Sequence, residues 1–467
     1  MNKLLSLDKN VKCLWILFFI TFIPIFLVFT YDDFLSIIHF EINAVGAVVK
    51  SNFFHMYDYI NMMADHYKAS GIPGVAHAEY NALFYVILGV WGIPLYLWEV
   101  LTGQLVTNSV GALMYGKSIY IVALIIDAWI IYKILILLDV EQKKRVLICF
   151  SFCTSIFVYS AIGVIGQADI IAMVFSISGI YMLLKNKYWQ FIVFFMIAIT
   201  CKVFAVFIFI PLIMISNKKI HSIIVQVALG LLPSVAVSLL FAGEGAKEMS
   251  HFTVNMLFLV LDRHLPLLDG DVSATIVLLG IFYFYCFLIN PQNETERKKY
   301  IILYPFITYG LLFASFKAYP YWLIRLVPWM LIAIFVYSNN SRLSLLMETI
   351  GGAALTCVHF YNFYWCFDLQ NLKYSFLKGL YASIDETNLI SLKYIVDNVP
   401  GYTHLLSSIA EGIFVVCLFV IIYFCLPYSD RFRNEEPILI RHLVLRVVIN
   451  VLVICIPIGL FFYNCYC

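Results

Sequence analysis

Runs of roughly 20 apolar residues recur along this chain, each long enough to cross the hydrocarbon core of a bilayer. Only 12% of the 467 residues are charged, about half the ~25% usual in soluble domains. The chain therefore reads as an all-α polytopic membrane protein. A net charge of +2 gives no support for nucleic-acid binding. Most of the 12 cysteines fall inside the apolar runs, where a thiol behaves as a small hydrophobe. No CxxC or Cys/His metal spacing is present, and Cys465 and Cys467 read as an inert tail.

Putting the Lys/Arg clusters on the cytoplasmic side threads the chain through the membrane. Lys3, Lys9 and Lys12 precede a first run, 13–30, that carries Trp15 and Pro24 and no small-x-small cleavage site, so it reads as an uncleaved span. Residues 31–116 contain few basic residues and form the first external region. Within it, Tyr80–Leu101 is read as interfacial or re-entrant, because counting it as a span would put Lys143-Lys144-Arg145 outside. Further runs at 117–138, 146–163, 170–184, 188–201, 203–215, 220–241, 272–289, 300–316, 321–337, 343–363, 406–426 and 443–463 complete about 13 spans. The N-terminus is then cytoplasmic. External loops cover some 30 residues before 272 and also 364–405, and a basic cytoplasmic loop holds Arg431, Arg433, Arg441 and Arg446. Two parts follow, 1–340 and 341–467. No cytoplasmic stretch can fold a nucleotide-binding domain and no Walker or dinucleotide glycine motif is present. Any chemistry must then use a substrate that reaches the external side.

An acidic and aromatic island, YDYINMMADHYKASGIPGVAHAEY at Tyr57–Tyr80, stands out in that external region. With Ile60–Tyr67 helical, Asp58, Asn61 and Asp65 share one face, and Ile60, Met63, Ala64 and Tyr67 share another. Carboxylates opposite lipid-compatible side chains describe a helix lying in the membrane interface. Asp58 is placed to act as a general base on an acceptor hydroxyl, against the plainer reading of an exposed polar residue. Asp32 and Asp33, where the first span exits, are rivals for that role or simply a solvated helix end. Asp65 is placed to assist or to bind a divalent cation.

Three further features carry cationic or polar groups. In Gly166-Gln167-Ala168-Asp169, Gln167 and Asp169 project from a short turn and suit sugar hydroxyls, while helix capping by Asp169 is the bland alternative. Lys202 interrupts two apolar segments, which is unfavourable unless it meets an anion or water; snorkelling to the interface is the alternative. Arg325 and Tyr321, in YPYWLIRLVPW, lie near the start of a late span, where arginine suits bidentate phosphate binding or an intramembrane ion pair. Lys317, Arg263 and His264 add external cationic or titratable groups.

Taken in order, these segments resemble the GT-C superfamily of integral-membrane glycosyltransferases. The stretch YDY…AD…GIP…EYNALFYVILG at 57–89 is similar to the first external loop of polyprenyl-phosphate-mannose-dependent enzymes. GQAD at 166–169 resembles their Gly-Gln-x-Asp, AITCKVFAVFIFIPLI at 198–213 their Ala…Lys…Leu-Pro signature, and AYPYWLIRLVPWMLI at 318–332 a late His-x-x-Tyr…Pro segment. Asn81-Ala82 stands where Pro-Pro is usual, and the late segment has Lys317 and Tyr319 but no histidine. The base role stays open between Asp58 and the pair Asp32/Asp33. The resemblance spans roughly 57–332 and implies a GT-C-like bundle with interfacial helices in the first external loop. It implies an inverting hexosyltransferase, mannosyltransferase-like, that uses a polyprenyl-phosphate sugar donor and a glycan or glycolipid acceptor of the cell envelope. Lys202 and Arg325 would hold the lipid phosphate, Gln167 and Asp169 would orient the sugar or acceptor, and Asp65 and Tyr321 would be further substrate-binding residues. No cofactor is implied. A plasma-membrane location with an external active site follows from the topology. A transporter or flippase of a polyprenyl-linked glycan is the alternative, with its charges lining a pathway.

Overall fold

In a computed structural model the described residues are 9–72, 74–241, 243–261, 264–267, 270–382, 390–398, 400–426 and 436–466. They are helical almost throughout, apart from one antiparallel hairpin in which His264–Leu267 pairs with Gly270–Ser273. Six helices are long and apolar enough to cross a membrane: Lys9–Val28, Ala82–Thr102, Val110–Leu137, Ile220–Leu240, Ser341–Asn362 and His404–Cys425. Two bent pairs, Gln142–Cys153 with Ile156–Ile165 and Ile440–Ile454 with Ile456–Cys465, bring the number among the described residues up to eight if each pair is one span. The architecture is that of an all-α polytopic protein, without reaching the thirteen spans expected. Several expected spans are helices of 12–16 residues, such as Asp169–Leu184, Tyr188–Cys201 and Ala205–Ser216. At ~1.5 Å per residue these fall short of a ~30 Å core.

Contacts divide the chain into two compact units, each assembled from separated stretches. The first comprises 1–31, 128–166 and 318–467. Its helix Gln142–Cys153 breaks at Thr154, whose hydroxyl turns back to the Phe150 carbonyl at 2.8 Å. The carbonyl freed by the break accepts from Asn450 Nδ2 at 2.9 Å, and the Thr154 hydroxyl accepts from Arg446 Nη1 at 3.0 Å. Arg446 also grips Glu348 with two bonds of 2.6 Å, and both side chains are buried. Arg446 is thus not part of a solvated basic loop. It ties helix Ile440–Ile454 to helix Ser341–Asn362. The second bend, 47° between Ile454 and Ile456, adjoins Pro457, which has no N–H for the ladder.

The second unit comprises 32–127 and 167–317. Helices Asp32–Lys50 and Ala82–Thr102 pack along each other, and Gly92 permits the approach: a Cβ there would lie 2.5 Å from the Glu41 carbonyl oxygen. Asn81 starts the later helix by accepting the Leu83 N–H at 3.3 Å, and Gly103 ends it in the left-handed region. The segment read as interfacial or re-entrant is one continuous helix of 21 residues, Ala82–Thr102.

The island forms helix Met56–Ala69, longer than expected. Its apolar side, Ile60, Ala64 and Tyr67, is buried and packs on Asp32–Lys50, with the Tyr67 ring 4.7 Å from that of His39. That face covers protein, which corrects its reading as a lipid-facing surface. The stretch before residue 272, expected as a loop, holds the 18-residue helix Glu244–Leu261. That helix packs on Met56–Ala69.

Candidate functional site

The second unit gathers Asp33, Glu79, Tyr80, Gln167, Asp169 and Lys202. Helix Tyr188–Cys201 ends at Lys202, whose backbone is extended (φ −150°, ψ 112°) before the chain re-enters a helix at Ala205. The side chain points at Asp169, with Nζ 3.7 Å from Oδ1. That separation supports Coulomb attraction and is longer than a hydrogen bond. Asp169 is the first residue of helix Asp169–Leu184, one position past the N-cap, which Ala168 holds. The carboxylate sits beside the positive end of its helix and faces a cation. Lys202 in turn lies at a helix C-terminus, so each charge has the sign its helix end favours. Asp169 is buried and Lys202 nearly so. The Tyr80 ring lies 4.0 Å from the ammonium, a cation–π contact.

Gly166 takes the left-handed region at φ 69° and closes the π-helical turn Tyr159–Ile165, so the chain can turn into Gln167. Gln167 donates from Nε2 to Asp33 Oδ2 at 3.3 Å, while its buried Oε1 has no hydrogen-bond partner among the described residues. The Asp32 side chain lies outside the described residues.

Glu79 completes the group. Burial, reinforced by the negative charge of Asp33 and opposed by Lys202, pushes its carboxyl up to about 7. Its loop is pinned residue by residue. The Tyr85 hydroxyl accepts the N–H groups of Glu79 (2.8 Å) and Tyr80 (3.1 Å), and Asn61 Oδ1 accepts that of Ala78 at 2.8 Å. His77 lies between two carboxylates, Nε2 at 3.0 Å from Asp65 and Nδ1 at 3.2 Å from Glu248. Ionised carboxylates only accept, so the imidazole satisfies both at once only in its protonated form, with both ring nitrogens donating. Its pKa rises accordingly, chiefly through the Asp65 hydrogen bond.

Of the residues expected to form the site, Asp33, Gln167, Asp169 and Lys202 come together. Asp58 and Asp65 belong to a second network on helix Met56–Ala69. Asp58 accepts the Gly245 N–H at 3.0 Å and meets His55 Nδ1 at 3.2 Å, so it fastens the start of helix Glu244–Leu261. Tyr321 and Arg325 belong to the first unit, in the 3-10 turn Pro320–Arg325. There Arg325 is buried and Tyr321 stacks on Tyr319 at 5.6 Å. Arg263 and the His264 side chain lie outside the described residues.

Sequence reasoning passed over Glu79, His77 and Glu248. Glu79 had one visible signal, a lone carboxylate at the mouth of an apolar helix. His77 and Glu248 had none, because their meaning comes from partners remote in sequence.

Comparison with family models, with curated proteins and with solved structures gave no match.

Proposed function

We propose that the chain is a membrane glycosyltransferase that moves a hexose from a polyprenyl-phosphate donor to a glycan or glycolipid acceptor, inverting the anomeric carbon. The supporting observation is the largely buried Lys202–Asp169 pair at a break between two short apolar helices, with Asp33 and Glu79 beside it. In this reading the acceptor oxygen bonds to the anomeric carbon as the bond from that carbon to the phosphate oxygen breaks. The lipid phosphate leaves with the electron pair, and Lys202 stabilises its charge. The acceptor proton passes to the carboxylate pair of Asp33 and Glu79, whose shared site suits one of them to proton transfer near neutral pH. Gln167 and Asp169 orient hydroxyls. Asp58, bound to the Gly245 N–H, positions helix Glu244–Leu261. The base role thus moves to the Asp33 side of the alternatives left open by sequence. The site faces the exterior of the plasma membrane, with the N-terminus cytoplasmic.

The test is transfer from radiolabelled polyprenyl-phosphate hexoses by the purified chain. Lys202→Ala and Asp33→Asn should each reduce transfer by about 100-fold or more, and wild-type rates in both would remove these residues from the site. A second reading, a transporter of a polyprenyl-linked glycan, draws support from Glu41, Lys117 and Asp127. All three are fully buried within helices Asp32–Lys50 and Val110–Leu137, and ionisable groups in such positions often mark pathways. Movement of a labelled lipid-linked glycan across vesicles, with no new glycosidic bond, would favour it.

A further inference from the structure

A cavity of about 940 Å³ opens in the first unit, and nothing in the proposed transfer chemistry uses it. Its lining residues are of two kinds. One is cationic, with Lys143, Lys144 and Arg441. The other is apolar, with Leu147, Phe335 and Leu439 among its residues. Two carboxylates, Glu141 and Glu436, also line it, and Arg342 binds Glu436. Arg342 offsets Glu436, which leaves Lys143, Lys144 and Arg441 against Glu141. The backbone adds to the field. Helices Gln142–Cys153, Ser341–Asn362 and Ile440–Ile454 all present their first turns to the cavity, through Lys143, Ser341 and Arg441. A helix N-terminus carries partial positive charge and free N–H groups, so three of them at one space favour an anion.

We infer that this cavity holds the phosphate headgroup of an anionic phospholipid, with the acyl chains along the apolar wall. A phosphate without chains would satisfy the cationic wall and leave the apolar wall wet. A zwitterionic lipid would bring a choline or ethanolamine cation against Lys143, Lys144 and Arg441. The volume lies within the range of cavities that enclose small ligands, about 300–1,000 Å³. The three cations come from two sequence-remote segments, 141–147 and 436–441.

The experiment is native mass spectrometry of the delipidated full chain in neutral detergent. Phosphatidylglycerol, phosphatidylcholine of the same acyl chains, and soluble glycerol phosphate are each titrated. Phosphatidylglycerol should be retained over phosphatidylcholine, and each of Lys143→Gln, Lys144→Gln and Arg441→Gln should lower its retention about five-fold. Retention of phosphatidylcholine should not change. Where a variant fails to fold, the wild-type chain still decides, because its preference for phosphatidylglycerol should weaken as salt is raised. Equal retention of the two lipids, salt-independent preference, or variants that bind like the wild type would overturn the assignment. Displacement of the lipid by an equal concentration of glycerol phosphate would also overturn it, in favour of a free-anion site.

Discussion

Glu79 stands between opposed influences, since burial and Asp33 disfavour its charge and Lys202 favours it. With its carboxyl near 7, the fraction able to accept a proton changes across the physiological range. Transfer should therefore rise with pH through about 7 and level off above it. Glu79→Gln should remove that limb from the pH profile. Asp33→Asn removes the like charge that raises Glu79, so its residual activity should show the limb displaced to lower pH. A profile unmoved by either change would detach Glu79 from the reaction. A different residue governs stability. Arg446 is held by Glu348 and Thr154 with no access to solvent. Glu348→Gln leaves that cation uncompensated, which costs about 3–5 kcal/mol in buried pairs. A marked fall in the thermal midpoint in detergent is the expected readout, and an unchanged midpoint would show that the pair contributes little.

At the scale of elements, His77 fastens the loop bearing Glu79 to two helices, through Asp65 on Met56–Ala69 and Glu248 on Glu244–Leu261. The folded imidazole has a raised pKa, so it gains its partners in the charged form. That contribution is complete below the unfolded value of about 6.5 and is lost as pH rises through the higher folded value. Hydrogen exchange in Glu244–Leu261, corrected for intrinsic rate, should quicken above that folded value in the wild type and show no such step in His77→Gln. The elements differ in how far they were legible. Apolar runs mark helices plainly, so Lys9–Val28, Val110–Leu137 and Ser341–Asn362 could be placed from composition alone. Gln167, Asp169 and Lys202 could also be singled out, because a polar residue between apolar runs needs a reason. The helix Glu244–Leu261 was hidden, since its polar side is satisfied by Asn61 and His77 rather than by a pattern of its own. His77 and Glu248 are 171 residues apart, and no local spacing announces such a pair.

For the whole molecule, the proposed orientation, in which Ala82–Thr102 lies in the interface rather than crossing, puts Lys144 on the cytoplasmic side and Lys247 outside. In a cysteine-free background, Lys247→Cys should react with a membrane-impermeant maleimide on intact cells, and Lys144→Cys only after permeabilisation. The opposite pattern would invert the topology and with it the placing of the site. The span count was the weakest part of the linear reading. Broken helices such as the pair around Thr154, and helices as short as Ala205–Ser216, look like ordinary apolar runs until their geometry is known.

The division into two units sets a timetable for biogenesis. Residues 32–127 and 167–317 are all synthesised once the ribosome passes Lys317, so the unit with Lys202 and Asp169 has its full complement of segments by then. The other unit draws on 1–31, 128–166 and 318–467, so its stretches are separated in synthesis by those of the first-finished unit. Helix Lys9–Val28 therefore meets Gln142–Cys153 and Tyr159–Ile165 before residues 167–317 are made, whereas its contacts with Ile440–Ile454 can form only after the second unit has been synthesised.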